Sequence, residues 1–232
     1  MVDLSVRSIL PEKMDAPGVP AHETQQALRE LEVVNELLGG YNVILQALEK
    51  MDWPDREVII MDLGCGGGDI LRSIANWAQK KNRNVKLIGI DWNPVMTAYA
   101  SGKSKQYSSI SFKTMSVFDD ALLNEKADIT TSSLFCHHFD KVELVGLVSR
   151  MYRLADMAVI INDLHRHWIA YHSIKWITAA FSQTYLVKYD APLSVARSFT
   201  RQDWRETLSE AGIANYSLSW KWAWRWELII KK

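Results

Sequence analysis

The sequence has few cysteines, and their spacing matches no recurring metal-ligand or redox motif. Its 232 residues include two cysteines, Cys65 and Cys136, which lie far apart in the chain. Two thiols in a chain of this length require no disulfide, and disulfides are rare in reducing compartments. The composition therefore excludes a disulfide-stapled scaffold and a cysteine-based zinc module, and we expect a cytoplasmic protein.

The chain also lacks a net charge and long apolar runs. Lys+Arg and Asp+Glu both total 27, so no overall field attracts nucleic acid or an anionic membrane. No uninterrupted apolar run approaches the ~18 residues that a membrane span needs. Charged residues at Asp3, Arg7 and Glu12 interrupt the segment where a signal peptide would have its apolar core. We therefore expect no nucleic-acid partner and no stable membrane insertion.

From residue 58 onward, strand-like apolar runs alternate with segments of helical periodicity. This alternation predicts an α/β fold, with a doubly wound and mostly parallel sheet. Strands are predicted at 58–63, 85–91, 110–117, 127–132 and 157–163, with a terminal pair at 213–220 and 223–230. Helices are predicted at 70–80, 141–154, 168–184 and 201–211, and Pro94 opens another. Asp140 and Thr200 are predicted to cap the helices at 141–154 and 201–211. Before the sheet, twenty loosely structured residues precede two helices, at 22–38 and 43–50. We expect residues 1–50 to form a helical lid and residues 51–232 the main domain, with a substrate insertion at 164–200.

The most informative segment is residues 59–69, IIMDLGCGGGD. Here an apolar strand leads into glycines that open a helix, which is the arrangement of a nucleotide-type cofactor site. Asp91, at the end of the next strand, is placed to accept hydrogen bonds from both hydroxyls of an adenosine ribose. Asp62 lies two residues before Gly64, where its charge opposes a pyrophosphate and suits an ammonium group.

The spacing Asp62-x-Gly64-x-Gly66-x-Gly68 resembles the first motif of class I (Rossmann-like) S-adenosylmethionine-dependent methyltransferases, and segment 90–94, IDWNP, resembles their second motif. The resemblance extends over nearly the whole chain. It implies a seven-stranded sheet of order 3-2-1-4-5-7-6 with strand seven antiparallel. It also implies methyl transfer from S-adenosylmethionine, with S-adenosylhomocysteine as product. The residues expected at the cofactor are Asp62, Gly64, Cys65, Gly66, Asp91, Trp92, Ser116, Val117 and Ser133.

One position departs from the family pattern. Where the family often has an acid that binds the adenine amino group, this chain has Ser116, followed by Val117. Either these two residues contact the adenine, or Asp119 turns towards it.

Two adjacent histidines follow the fourth strand, where the Asp/Asn-Pro-Pro-Tyr/Phe motif of amino-methylating members is absent. His137 and His138 resemble the small-molecule branch related to ubiquinone and menaquinone methyltransferases. A histidine is a suitable base for an acceptor that must lose a proton. Because adjacent side chains point in different directions, we expect at most one of the pair to face the acceptor. The alternative is that both stabilise the loop.

A third candidate base, His165, follows the fifth strand, where its alternative role is to cap the next helix. Segments 12–15, 35–41, 163–166 and 190–200 resemble bacterial methyltransferases of aromatic polyketide and phenolic-lipid pathways. This likeness implies O-methylation of a phenol or enol in secondary metabolism. C-methylation of a quinone-like or phenolic ring stays open as an alternative.

Aromatic residues are frequent in the helix predicted at 168–184. We expect Trp168 and Tyr171 to wall the pocket of a small aromatic or lipophilic acceptor, although ordinary core packing also explains them. In the lid, Asn35 or Arg29 is expected to face the cofactor. Tryptophans recur between 220 and 226, and we expect a terminal hairpin there, which is also a candidate homodimer contact.

No metal is expected. Asn162 and Asp163 are similar to the ligands of magnesium-dependent catechol methyltransferases, but the rest of that pattern is missing. Cys136, His137 and His138 are contiguous, which is poor spacing for one zinc. Two other functions stay open: a nicotinamide-dependent reductase, and a non-catalytic protein that binds the cofactor as part of a complex.

Overall fold

The protein is described here by a computed structural model over residues 2–232, and its centre is one seven-stranded sheet. The strands lie in the order β3-β2-β1-β4-β5-β7-β6, and β7 runs antiparallel to both of its neighbours. This order and the antiparallel β7 confirm the fold that the motifs imply. The strands are β1 (Val58–Leu63), β2 (Val85–Asp91), β3 (Ile110–Thr114), β4 (Ala127–Ser133), β5 (Ala155–Leu164), β6 (Tyr216–Lys221) and β7 (Arg225–Lys231).

Helices cover both faces of the sheet, as a doubly wound fold requires. They are α1 (Ala21–Leu37), α2 (Gly40–Glu49), α3 (Asp69–Lys80), α4 (Pro94–Lys103), α5 (Lys141–Leu154), α6 (Trp168–Phe181), α7 (Tyr185–Arg197) and α8 (Arg201–Glu210). Because side chains alternate along a strand, Ile60 packs with α2 and α3, whereas Met61 packs with α5 and α8. The two faces therefore have separate hydrophobic cores.

Local sequence signals fix several helix starts. The Asp140 carboxylate accepts a hydrogen bond from the Glu143 amide at 2.8 Å, and the Glu143 carboxylate accepts one from the Asp140 amide. These two bonds form a capping box at the start of α5. Thr200 and Asp203 form the same motif at α8. The predicted caps of both helices are confirmed.

The segment between β5 and α8 differs from its prediction. The helix expected to reach residue 184 ends at Phe181, and a second helix, α7, follows it. Pro192 lies inside α7, where a proline normally opposes helix formation. Burial of Val187 and Val195 compensates for this, so tertiary packing overrides the local preference.

The N-terminal residues, which were predicted to be loosely structured, are hydrogen-bonded to α7. Apart from a 3-10 turn at Lys13–Asp15 they have no regular structure up to α1, yet the Ser8 amide donates to the Ala196 carbonyl at 3.0 Å. The amides of Lys13 and Met14 donate to the Asp190 carboxylate at 2.8 and 2.9 Å. We call residues 7–37 and 168–197 together the cap, since these two segments pack on each other.

In the described part of the chain, no helix combines the length and the apolar character needed to cross a membrane.

Candidate active site

The glycine loop between β1 and α3 depends on backbone conformations that favour glycine. Gly64 has a φ of 76°, in the left-handed region, and an added Cβ would lie 2.1 Å from a ring atom of Phe135. Gly68 has a φ of 72° at the start of α3. The loop therefore leaves its backbone exposed to a ligand.

Asp91 holds the glycine loop in place from the neighbouring strand. One carboxylate oxygen accepts from the Gly66 amide at 2.9 Å, and the other accepts from the Asn93 amide at 2.9 Å. Burial raises the pKa of Asp91 above its usual value. The carboxylate thus lies at the carboxyl edge of β2, in the position expected for ribose binding.

Asp62 lies beneath the glycine loop and is 1% exposed. Its Oδ1 accepts from the Thr131 hydroxyl at 2.8 Å, and its Oδ2 has no hydrogen-bond partner among residues 2–232. Burial raises the pKa of this carboxyl to about 8; the Thr131 bond opposes the shift, and the nearby carboxylates of Asp69 and Asp91 add to it. A cationic ligand group beside Oδ2 would favour the ionised form.

The raised pKa of Asp62 predicts a pH dependence of stability. Between the ordinary carboxyl pKa of 3.8 and about 8, the folded state binds more protons than the unfolded state, so unfolding becomes easier as the pH rises. In the absence of ligand, the stability of Asp62→Asn relative to the parent chain is expected to increase as the pH rises from below 3.8 to above about 8. Denaturant unfolding of both proteins on the two sides of this range measures the difference, in which the titrating groups that are not coupled to Asp62 cancel. A difference that is constant with pH would contradict the assigned shift.

A cavity of about 600 Å³ opens above the glycine loop, which is a size typical of small-ligand sites. All nine residues predicted to contact the cofactor line it: Asp62, Gly64, Cys65, Gly66, Asp91, Trp92, Ser116, Val117 and Ser133. Asp119 does not line the cavity, because its carboxylate accepts from the Ala121 amide at 2.9 Å. Of the residues considered for the adenine contact, Ser116 and Val117 line the cavity and Asp119 does not, and the contact itself stays a prediction.

The roof of the cavity comes from the cap. Helix α1 contributes Leu28, Leu31 and Asn35, whereas Arg29 is exposed and does not line the cavity. Of the two lid residues expected at the cofactor, only Asn35 lies at the cavity.

The prediction for the wall residues of α6 needs correction. Trp168 is 61% exposed, and neither it nor Tyr171 lines the cavity. Helical periodicity instead turns another face of α6 inwards, so the wall consists of smaller side chains: Ala170, Ser173, Ile174 and Ile177.

His137 is not available as a base. Its Nδ1 lies 2.8 Å from the Asp163 carboxylate, and its Nε2 lies 3.4 Å from Glu12. Burial lowers the pKa of His137, but Asp163 and Glu12 outweigh this effect and raise it to about 10. The ring is therefore protonated at neutral pH and cannot accept a proton.

His165 is also corrected as a candidate base. It does not line the cavity, and its ring packs edge-on against Trp226 with the ring centroids 4.8 Å apart. Burial lowers its pKa to about 4, with the neighbouring cations adding to the shift. The ring is neutral, but it faces the terminal hairpin.

His137 and His138 both line the cavity, and His138 is the less buried of the two. Its Nδ1 lies 2.7 Å from the Asp15 carboxylate, and its Nε2 is 3.9 Å from Glu12. The side chain is 20% exposed, in contrast to the buried His137. The carboxylate of Asp15 orients the ring through Nδ1, and His138 lines the cavity together with Glu12 and Asp15.

Glu12, His137 and His138 also form a cluster whose potential metal-ligand atoms lie within 4.8 Å of one another. These groups are paired with each other and with Asp15 and Asp163. The expectation of no metal stays a prediction.

Three residues at the site were missed by reasoning from the sequence: Glu12, Asp15 and Arg225. The first two lie in segment 12–15, which resembles bacterial methyltransferases but carries no motif that indicates a role. Arg225 begins β7 and lines the cavity, and no sequence motif marks it.

Several known proteins that resemble this chain are methyltransferases. Residues 60–157 match the family model described as a methyltransferase domain. Among solved structures, a candidate O-methyltransferase from Nostoc punctiforme has a TM-score of 0.65 at 16% identity, covering 98% of this chain and 65% of that one. The CurJ carbon methyltransferase has a TM-score of 0.58 at 17% identity, covering 81% of this chain and 51% of that one. Magnesium protoporphyrin IX methyltransferase from Synechocystis, solved with bound S-adenosylmethionine, has a TM-score of 0.51 at 16% identity, covering 95% and 88%. No curated protein matches the chain.

The strand order, the glycine loop and the acid that ends β2 define a Rossmann-like cofactor-binding fold. Residues 60–157 match the methyltransferase-domain model, and the solved methyltransferases above share this fold. This chain spans about half of the CurJ methyltransferase and 65% of the Nostoc protein. The cavity fits the cofactor, because Asp62 offers an unpaired buried oxygen and Gly64 allows close approach to the loop.

Proposed function

We propose that the chain transfers a methyl group to a hydroxyl of a small aromatic or polyketide-derived acceptor, with His138 as the general base. One observation carries this proposal. The His138 ring, oriented by Asp15 at 2.7 Å, faces the same cavity as the cofactor-binding residues Asp62 and Asp91.

The cofactor residues have complementary roles in this proposal. Asp62 binds the ammonium of the methionine moiety, and Asp91 accepts hydrogen bonds from the ribose hydroxyls. Ser116 and the Val117 backbone border the adenine. When bound, S-adenosylmethionine supplies an electrophilic methyl group on a sulfonium.

The rest of the cavity favours an apolar, flat acceptor. Phe135 and Phe139 pack edge-on with ring centroids 4.9 Å apart, and both line the cavity. The opposite wall is formed by the aliphatic side chains of α1 and α6. Burying an aromatic ring against such surfaces is favourable, and few polar groups compete for it.

The proton moves along a short path. The acceptor hydroxyl donates its proton to Nε2 of His138 while its oxygen forms the new bond to the methyl carbon and the carbon–sulfur bond breaks. Asp15 stabilises the imidazolium that results. His137, already protonated, holds Glu12 in place beside His138.

The cap completes the site in this proposal, because it excludes water and aligns the acceptor with the methyl group. It joins the N-terminal lid to the insertion at 164–200: Glu30 of α1 accepts from the Thr184 hydroxyl at 3.0 Å at the start of α7. Residues 51–232 provide the cofactor domain, and residues 1–50 provide Asp15.

The test is a methyl-transfer screen with the full chain, methyl-labelled S-adenosylmethionine, and phenols, enols and alkyl-substituted phenolic lipids. A labelled methyl ether, identified by nuclear magnetic resonance, is the expected product. A label on a ring carbon would contradict O-methylation and support the carbon alternative. Binding of S-adenosylhomocysteine without transfer to any acceptor class would support the non-catalytic alternative.

A further inference from the structure

Arg225 is a buried cation at the edge of the cavity, outside the catalytic groups described above. It begins β7, pairs with Leu164 of β5, and is 2% exposed. Its side chain lines the cavity. A buried guanidinium keeps its charge, so it requires an anionic partner or a full set of hydrogen bonds.

Within residues 2–232, Arg225 has only part of that set. Its Nη2 donates to Oδ1 of Asn35 at 3.2 Å, while Nε and Nη1 have no partner. The carboxylate of Asp163 acts on Arg225 but is paired with His137, and Glu227 is paired through Oε1 alone with Lys221 at 3.1 Å. Burial lowers the pKa of Arg225 to about 10, and the charge of Asp163 opposes this shift only in part.

The N-terminus of α2 adds positive potential beside this guanidinium. A Cβ on Gly40, the first residue of α2, would lie 3.0 Å from Nη2 of Arg225. The preceding Gly39 caps the helix in a left-handed conformation without a side-chain bond. Helix N-termini favour anions, and the fork of two arginine N–H groups matches a carboxylate.

Asp62 and Arg225 belong to the same face of the sheet. Ile60, two residues before Asp62, and Ile229, four residues after Arg225, both lie in the core under α2 and α3. Since side chains alternate along strands, Asp62 and Arg225 share that face, while Asp163 lies on the face of His137. One cavity is thus lined on one side of the sheet by a buried carboxyl group and a buried guanidinium, and each has atoms without a hydrogen-bond partner among residues 2–232.

We propose that Arg225 binds the carboxylate of the methionine moiety of S-adenosylmethionine, while Asp62 binds its ammonium. An α-amino acid group carries both charges, so it compensates both buried side chains at once. Asn35 holds Arg225 in position, which links the cap to the bound cofactor. An acidic acceptor is the other source of a carboxylate, and the experiment separates the two.

The test compares two ligands that differ by the carboxylate alone: S-adenosylhomocysteine and its decarboxylated analogue. Calorimetric titration is performed on the full chain and on Arg225→Met. The parent chain is expected to bind S-adenosylhomocysteine at least about tenfold more tightly than the analogue, as charged hydrogen bonds require. In Arg225→Met this preference disappears, because the first affinity falls and the second is unchanged. Arg201→Met, an exposed arginine on α8, is the matched control and keeps the preference.

Three results would overturn the proposal. One is an equal loss of affinity for both ligands, which indicates a structural role for Arg225. Another is unchanged binding of S-adenosylhomocysteine together with a raised KM for acidic acceptors alone, which assigns the carboxylate to the acceptor. The third is that the parent chain binds S-adenosylhomocysteine and its decarboxylated analogue with equal affinity, a result that requires no variant. If Arg225→Met does not fold, Arg225→Lys replaces it, with a partial loss of the preference expected. The calorimetric readouts do not depend on turnover, so they stand apart from the proposed acceptor chemistry.

Discussion

Replacing His138 with Gln is expected to lower kcat by about 10²–10⁴-fold, the range that general-base catalysis contributes. Glutamine keeps a polar side chain of similar reach but cannot accept the acceptor's proton. The dissociation constant for S-adenosylhomocysteine should stay unchanged, because the cofactor's proposed contacts lie at Asp62, Asp91 and Arg225. Initial rates on the best acceptor from the screen, with calorimetry on the same samples, measure both effects.

A matched control is available on α6. His172 is exposed and does not line the cavity, so His172→Gln should keep the parent kcat. Asp15→Asn should give an intermediate loss, since the ring keeps its basic nitrogen but loses its orienting carboxylate. If His138→Gln retained full kcat, the base would have to be another group.

Replacing Asp91 with Ala is expected to weaken binding of S-adenosylhomocysteine by about 10²–10⁴-fold. The carboxylate is expected to form two charge-assisted hydrogen bonds with the ribose, each worth roughly 1.5–3 kcal/mol. It also holds the glycine loop through the Gly66 amide at 2.9 Å, so its removal affects the loop as well as the ligand. Calorimetric titration with S-adenosylmethionine, S-adenosylhomocysteine and NADH measures the loss and its selectivity.

Asp120→Ala provides the comparison for Asp91→Ala. The Asp120 side chain is 91% exposed and pairs only with Arg150 among the described residues, so this change should leave binding intact. If Asp91→Ala bound S-adenosylhomocysteine as tightly as the parent chain does, this result would contradict the assignment of Asp91 to the ribose. Binding of NADH alone by the parent chain would support the reductase alternative and contradict the cofactor.

The sheet and the cofactor loop were predictable because their signals are local. Residues 58–63 are apolar, glycines follow directly, and Asp91 ends the next strand, so each motif predicts its own backbone. Helix caps at Asp140 and Thr200 were equally readable from a few adjacent residues.

The pairing of Asp15 with His138 was not predictable, because the two residues are distant in sequence. Asp15 and His138 are separated by 123 positions, and no periodicity links them. The choice between His137 and His138 depends on which ring meets Asp163, a fact of tertiary packing. For Trp168 and Tyr171, the composition of α6 suggested a wall, but only the rotation of the helix decides which side chains face inwards.

The N-terminal segment also bears on the order in which the molecule assembles. The main contacts of the sheet join neighbouring strands within the core. In contrast, the Asp15–His138 bond closes a loop of 123 residues, and the bond from Arg7 to the Arg197 carbonyl closes a loop of 190 residues. Such long-range contacts form late, and those outside the core open first in the native state. The amides of Lys13 and Met14 should therefore exchange their hydrogens faster than those of β1, β4 and β5. The catalytic pair is thus expected to be the last part of the protein to fold and the first to open.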